Sequence, residues 1–128
     1  MSTAPLYAYL GPEGTFTHMA MLDFANQHGG AFESRACPTI EDVFEAVDRG
    51  RATYGVVPIE NALEGGVTST LDEFAFNSKA QIVGETVVDI HHCLITAPGV
   101  RLEDVDRLVS HPQPLGQCRH FIQDNLSR

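Results

Sequence analysis

Hydrophobic residues occur along the chain as short runs and as stripes at helical spacing, each closed by glycine, proline or a polar loop. Leu6 to Leu10 is a compact apolar run that ends in Gly11-Pro12-Glu13-Gly14, the pattern of a buried strand entering a loop. Thr15 or Thr17 then caps a helix in which Ala20, Met21, Phe24 and Ala25 share a face, and Gly29-Gly30 stops it. Ala31 to Cys37 follows as a second strand. Thr39 and Asp42 make a Thr-x-x-Asp variant of the capping box at the head of a second helix, with Ile40, Val43, Phe44 and Val47 on one side and Gly50 as its C-cap. Tyr54 to Ile59 is a third strand, interrupted near its end by Pro58. A polar loop from Glu60 to Gly66 leads into a helix carrying Leu71, Phe74 and Ala75.

The second half is patterned differently. Gln81 to Ala97 is rich in β-branched residues (Val83, Val87, Val88, Ile90, Ile95), and its length predicts a crossing strand with a bend. Beyond Pro98-Gly99, Leu102 to Val105 reads as a helical turn and Arg107 to Ser110 as a short strand. His111-Pro112-Gln113-Pro114 follows, where both His111 and Gln113 precede proline and are disfavoured in helical geometry. Pro114 suits the first turn of a last helix, with Leu115, Cys118 and Ile122 inward. Alternating strands and helices predict an α/β architecture with parallel strands and right-handed crossovers, whose ligand-binding loops lie at strand carboxyl ends.

At 128 residues, 43% hydrophobic and 20% charged, the chain suffices for one packed domain or two small lobes. No run of 18 apolar residues occurs and the first ten residues lack the layout of a signal peptide, so a cytoplasmic location is expected. Cys37, Cys93 and Cys118 are odd in number and widely spaced, which predicts free thiols rather than a disulfide framework. A net charge of −9 argues against nucleic acid and anionic membrane as partners.

Three loops are candidates for chemistry: Gly11 to Thr17, Pro58 to Gly66, and Ser110 to Gln113. Each feeds a helix amino terminus, whose N–H groups and partial positive charge favour a carboxylate. Glycines at 11, 14, 65 and 66 admit a ligand close to the backbone, while Thr15, Asn61, Ser110 and Gln113 offer hydrogen bonds. None of the three loops contains Lys or Arg. Glu60 reads either as a general base or as a carboxylate in a helix first turn. His111 reads either as a titrating site group or as a turn residue. Cys118 near a helix start is a packed thiol more readily than a nucleophile. His91-His92-Cys93 has metal-ligand chemistry, but neighbours on a strand point to opposite faces, which argues against a metal site.

The ordered segments Tyr9-Leu10-Gly11-Pro12-Glu13-Gly14-Thr15-Phe16-Thr17, Val57-Pro58-Ile59-Glu60-Asn61 with Gly65-Gly66, Ile90-His91-His92-Cys93-Leu94, and Ser110-His111-Pro112-Gln113 with Gln117-Cys118 resemble signature segments of prephenate dehydratases. The resemblance spans nearly the whole chain. It implies a two-lobed fold similar to type II periplasmic binding proteins, with residues 1–77 as the first lobe and 78–128 as a partial second lobe. It also implies the conversion of prephenate, a small anionic substrate, to phenylpyruvate in L-phenylalanine biosynthesis, without a cofactor. Asn61, Gln113 and Glu60 would then be the catalytic residues, with Gly14, Thr15, Phe16, Ser110, His111 and Pro112 binding substrate. Ala62 departs from the Ser or Thr of many relatives.

A further departure is that the family's Thr-Arg-Phe segment, which carries its presumed proton donor and a cation, does not occur in this chain. The expectation is therefore an inactive portion of a prephenate dehydratase, with exposed apolar edges that make it a homo-oligomer. The competing expectation is a non-catalytic module that binds or senses small anions and keeps the ligand-holding loops.

Overall fold

The computed structural model describes residues 4–61 and 65–126, and two compact units divide the chain, residues up to Asp89 and residues from Ile90. In the first unit, β1 (Leu6–Leu10), β2 (Glu33–Cys37) and β3 (Tyr54–Val56) form a sheet in the order β2-β1-β3, parallel throughout. β1 is the central strand, and its alternation sets two cores. Tyr7 and Tyr9 face one side, where they pack with Met21 and Ala25 of α1 (Phe16–His28). Ala8 faces the other, against Val43 and Ala46 of α2 (Ile40–Asp48), with Leu6 packed on the same cluster. A period of two in one strand thus places a helix on each face of the sheet.

The α1 side is an aromatic core. Tyr7 stacks on Tyr54 with ring centroids 5.2 Å apart and meets Phe32 and Phe24 edge-on at 5.8 and 6.2 Å. Such pairs add about 0.5–1.5 kcal/mol each beyond burial. Thr15 rather than Thr17 caps α1, and Gly29 ends it at φ 71°. Thr39 caps α2 by accepting the Asp42 N–H at 3.1 Å, and Gly50 follows its last turn at φ 70°. Val43 and Phe44 are buried and Ile40 and Val47 half-buried, so the α2 stripe lies where its spacing predicts.

Several expectations do not hold. The third strand ends at Val56, before Pro58, and the segment beyond it makes a small antiparallel ladder of β4 (Glu60–Asn61) with β5 (Gly65–Gly66) in place of the expected loop; residues 62–64 lie outside the described residues. The next helix, α3 (Thr68–Asp72), widens into a π-helical turn over Glu73–Asn77. Its inward residues are Thr70 and Phe74, whereas Leu71 and Ala75, read with Phe74 as the helix's apolar residues, are exposed. Phe74 lies edge-on to Phe44 of α2 at 4.9 Å, so the turn is shaped by packing and not by a regular apolar stripe.

No strand is found among residues 78–110, neither at Gln81 to Ala97 nor at Arg107 to Ser110. β-branched content gives a segment extended geometry, but a strand exists only with a ladder partner, and no described residue supplies one. Residues 78–89 instead lie along the first unit by side-chain contacts. Asp48 Oδ1 accepts from Ser78 Oγ at 3.0 Å and from the Lys79 N–H at 3.3 Å, and Thr86 Oγ1 donates to Asp23 Oδ2 at 2.9 Å. Gly84 lies so close to Phe24 that a Cβ there would come within 2.6 Å of the ring.

The second unit holds a 3-10 turn at Leu102–Asp104, α4 (Pro112–Gln117) and α5 (Arg119–Leu126). The expected last helix is thus two helices broken at Cys118, and Leu115, Cys118 and Ile122 are each half-buried. Gln113, although it precedes proline, is helical. Pro114 falls in the first turn, where its missing N–H would have no intrahelical partner, so the proline costs the helix no bond there. His111 stays extended at ψ 155°.

Candidate functional site

In the first unit, parallel register fixes where two of the three loops emerge. Tyr9 of β1 pairs with Val56 of β3, so the Gly11 and Pro58 loops leave the sheet at the same end, the carboxyl end of their strands. β2 ends there as well, and Gly11 N donates to Cys37 O at 2.8 Å. A groove of about 400 Å³ lies between the Gly11 loop and the Cys37-Pro38 turn that follows β2, lined by Gly11, Pro12, Ala36, Cys37 and Pro38. The Cys37-Pro38 turn was not among the loops read from sequence. With β1 central, the ends of both its neighbours flank its loop, and that consequence of strand order is invisible until the order is known.

The Gly11 loop is built by α1. Gly14 takes φ 88°, which favours glycine, and its N–H is donated to His18 Nδ1 at 2.9 Å. Thr15 Oγ1 accepts the His18 N–H at 3.3 Å, and the imidazole stacks on the ring of Tyr9 at 4.8 Å. Gly14 therefore shapes the loop and leaves open space, since a Cβ there would meet nothing within 4 Å. Phe16 is 39% exposed at the first turn of the helix.

In the second loop, Glu60 pairs with Gly66 and Asn61 with Gly65 across the β4-β5 ladder, and Ile59 O accepts the Val67 N–H at 2.9 Å. Glu60 is exposed and lies in a strand pair, which removes its reading as a helix first-turn carboxylate. Asn61 is half-buried. The loop is held from below by Thr70, only 1% exposed, whose Oγ1 donates to Pro58 O at 2.7 Å. Neither His18 nor Thr70 was singled out from sequence. His18 carried a signal, because it occupies the position where a capping box places Glu or Gln, three residues after the capping Thr15.

The third loop belongs to the second unit. Ser110, His111, Pro112 and Gln113 stand at the start of α4, with His111 at the N-cap and Pro112 in the first turn, but no strand precedes them, contrary to expectation. His92 Nε2 hydrogen-bonds Gln117 Oε1 at 2.7 Å in the same unit. Among the described residues no three His, Cys, Asp or Glu side chains converge as a metal site would require.

Burial governs the titrating groups near the first groove. Burial pushes the Cys37 thiol up, with Asp42 adding to the rise and Arg35 opposing it. Tyr9 is raised by burial first, then by Glu13 and Cys37. A thiol held protonated is a wall of the groove rather than a nucleophile.

A parallel sheet with loops at one end and helix amino termini behind them is an α/β architecture of the class that places ligands at strand carboxyl ends. The chain belongs to the prephenate dehydratase family, whose model matches residues 7–128. It is 45% identical over 93% of its length to the bifunctional chorismate mutase/prephenate dehydratase of Aquifex aeolicus, and 37% identical over 90% to that of Escherichia coli K12. It covers 32% and 30% of those proteins, so it spans about a third of the curated relatives it matches. Its fold is similar to that of the prephenate dehydratase of Arthrobacter aurescens, solved in complex with L-Phe: the TM-score is 0.81 at 36% identity, over 94% of this chain and 39% of that one.

Proposed function

We propose that this chain carries the substrate-holding loops of a prephenate dehydratase site and binds prephenate. The observation that carries the reading is the family match over residues 7–128, joined to the emergence of the Gly11 and Pro58 loops at one end of a parallel sheet. In the reaction, the bond to the ring carboxylate breaks and releases carbon dioxide. Its electron pair enters the ring, and the ring hydroxyl departs as water once protonated. That chemistry asks for donors to place two carboxylates, a proton for the leaving hydroxyl and exclusion of water, and for no cofactor.

In this reading Asn61 supplies an orienting hydrogen bond from the first unit, with Glu60 beside it and Gly14, Thr15 and Phe16 binding substrate, and Gln113 supplies one from the second unit, with Ser110, His111 and Pro112. The fold is two-lobed, of the type II periplasmic-binding kind, with the first lobe reaching past the expected boundary at residue 77 to about Asp89, since residues 78–89 pack with the first unit. The 128 residues by themselves bind without turning prephenate over, because they contain no Thr-Arg-Phe segment to supply the proton for the leaving hydroxyl. The chain acts in the cytoplasm; no helix among the described residues is long and apolar enough to cross a membrane. It self-associates through exposed apolar residues such as Phe76 (79%) and Val87 (86%), which sedimentation at rising concentration would register as a growing mass.

Calorimetric titration with prephenate tests the reading. The 128-residue chain should bind, and Asn61→Ala should weaken binding by about tenfold, as loss of one buried polar contact does. Equal affinity in the two proteins removes Asn61 from the site. Formation of phenylpyruvate at rates ordinary for enzymes would overturn the claim that these residues bind without catalysis.

A further inference from the structure

The Gly11 loop is braced by one side chain from α1, His18, through contacts that a capping box alone does not make. His18 is the third residue of α1, and its contacts are reciprocal. Its own N–H is accepted by Thr15 Oγ1 at 3.3 Å, while its Nδ1 accepts the Gly14 N–H at 2.9 Å. A capping box has this form with Glu or Gln returning to the N-cap amide. Here an imidazole returns one residue further, to Gly14, and so reaches into the loop. The ring cannot swing away without losing its stack on Tyr9, at 4.8 Å and an interplanar angle of 14°. Tyr9 itself is 3% exposed in the central strand.

We propose that His18 is a positioning residue for the dehydratase site, a neutral imidazole that ties the Gly14 amide to the buried end of β1 and so sets the orientation of Thr15 and Phe16 towards substrate. Accepting at Nδ1 requires a lone pair there, so the ring proton sits on Nε2. Gly14 at φ 88° is a backbone position with wide freedom in the absence of a restraint, and the three restraints found are the His18 acceptor, the helix that carries it and the ring that backs it. The acceptor lies in the ring plane at Nδ1 and the stack uses the ring face, which makes them separable by substitution.

The consequence for substrate rests on the prephenate reading above, so the test has one readout that does not. His18→Asn keeps an acceptor near the position of Nδ1 and discards the ring. His18→Phe keeps the stack and discards the acceptor. Amide hydrogen exchange at Gly14, followed by NMR in the 128-residue chain, should quicken by about tenfold in His18→Phe and stay near the wild-type rate in His18→Asn. The ¹⁵N signals of His18 in the wild type should show the proton on Nε2. Prephenate affinity should fall about five- to tenfold in His18→Phe and recover in His18→Asn. Unchanged Gly14 exchange in His18→Phe, or a proton found on Nδ1, overturns the proposal whatever prephenate does. Altered exchange with unaltered prephenate affinity overturns the link to substrate. Should the wild-type chain not bind prephenate, the exchange and tautomer measurements still decide whether His18 holds the loop.

Discussion

Three buried protons give the first unit a signature in alkali. Tyr7, Tyr9 and Cys37 are all raised, chiefly by burial, from ordinary values of 10.0 for the phenols and 9.0 for the thiol. In the unfolded chain these groups ionise at their ordinary values, whereas in the folded chain they hold their protons longer. The native state then binds more protons than the unfolded state, so stability falls with rising pH. The contribution is fully present below the ordinary values and is lost as pH climbs through them towards the raised folded ones. Urea midpoints should therefore be level up to about pH 8 and decline by about pH 10.5. Tyr7→Phe, which keeps the stack on Tyr54 and removes a hydroxyl, should flatten part of that decline; an equal slope in the variant would show that the phenol does not drive it. The same burial protects Cys37, 6% exposed, from thiol reagents that reach the exposed Cys93.

Elements with strong local rules were legible from sequence, and those that depend on partners were not. Thr39 and Thr15 cap their helices, Gly29 takes positive φ at the end of α1 and Val43 faces inward, because capping and period act within a few residues. Gln81 to Ala97 has the composition of a strand and is not one, since composition does not bring a neighbour. Within the candidate loops, Asn61 and Gly14 are singled out by sequence through loop chemistry. His18 and Thr70 are not, because the atoms they hold, Gly14 N and Pro58 O, belong to backbone whose path the sequence does not state. Close packing between elements makes a sharper prediction at Gly55. A Cβ there would lie 2.9 Å from Val43 Cγ1 and 3.1 Å from Val47 Cγ2, which is why α2 can settle on β3. Gly55→Ala should cost about 1–3 kcal/mol by overpacking, read as a lower urea midpoint. Val43→Ala in the same chain should restore part of the loss, and additive costs would show that the two side chains do not compete for one space.

At the scale of the whole chain, the local chemistry and the long-range field oppose each other. Eight Lys and Arg stand against seventeen Asp and Glu, a net charge of −9, while the proposed ligand is an anion with two carboxylates. Helix amino termini act only within the first turn, so they can hold a carboxylate that has arrived but cannot draw one from solution. Approach is then governed by the net field, which repels. Screening extends over about 30 Å at 0.01 M salt and about 8 Å at 0.15 M, so added salt shrinks the repulsion faster than it weakens contacts inside the loops. The association rate of prephenate with the 128-residue chain should accordingly rise with ionic strength, by about two- to fivefold across that range, the reverse of the usual steering of an anion by a cationic site. Stopped-flow binding at the two salt concentrations measures it, with a neutral osmolyte as the control for viscosity. A rate that falls as salt is added would mean that a cation from elsewhere in the chain faces the loops and outweighs the net charge, and the proposal that these loops hold carboxylates with neutral dipoles alone would have to be given up.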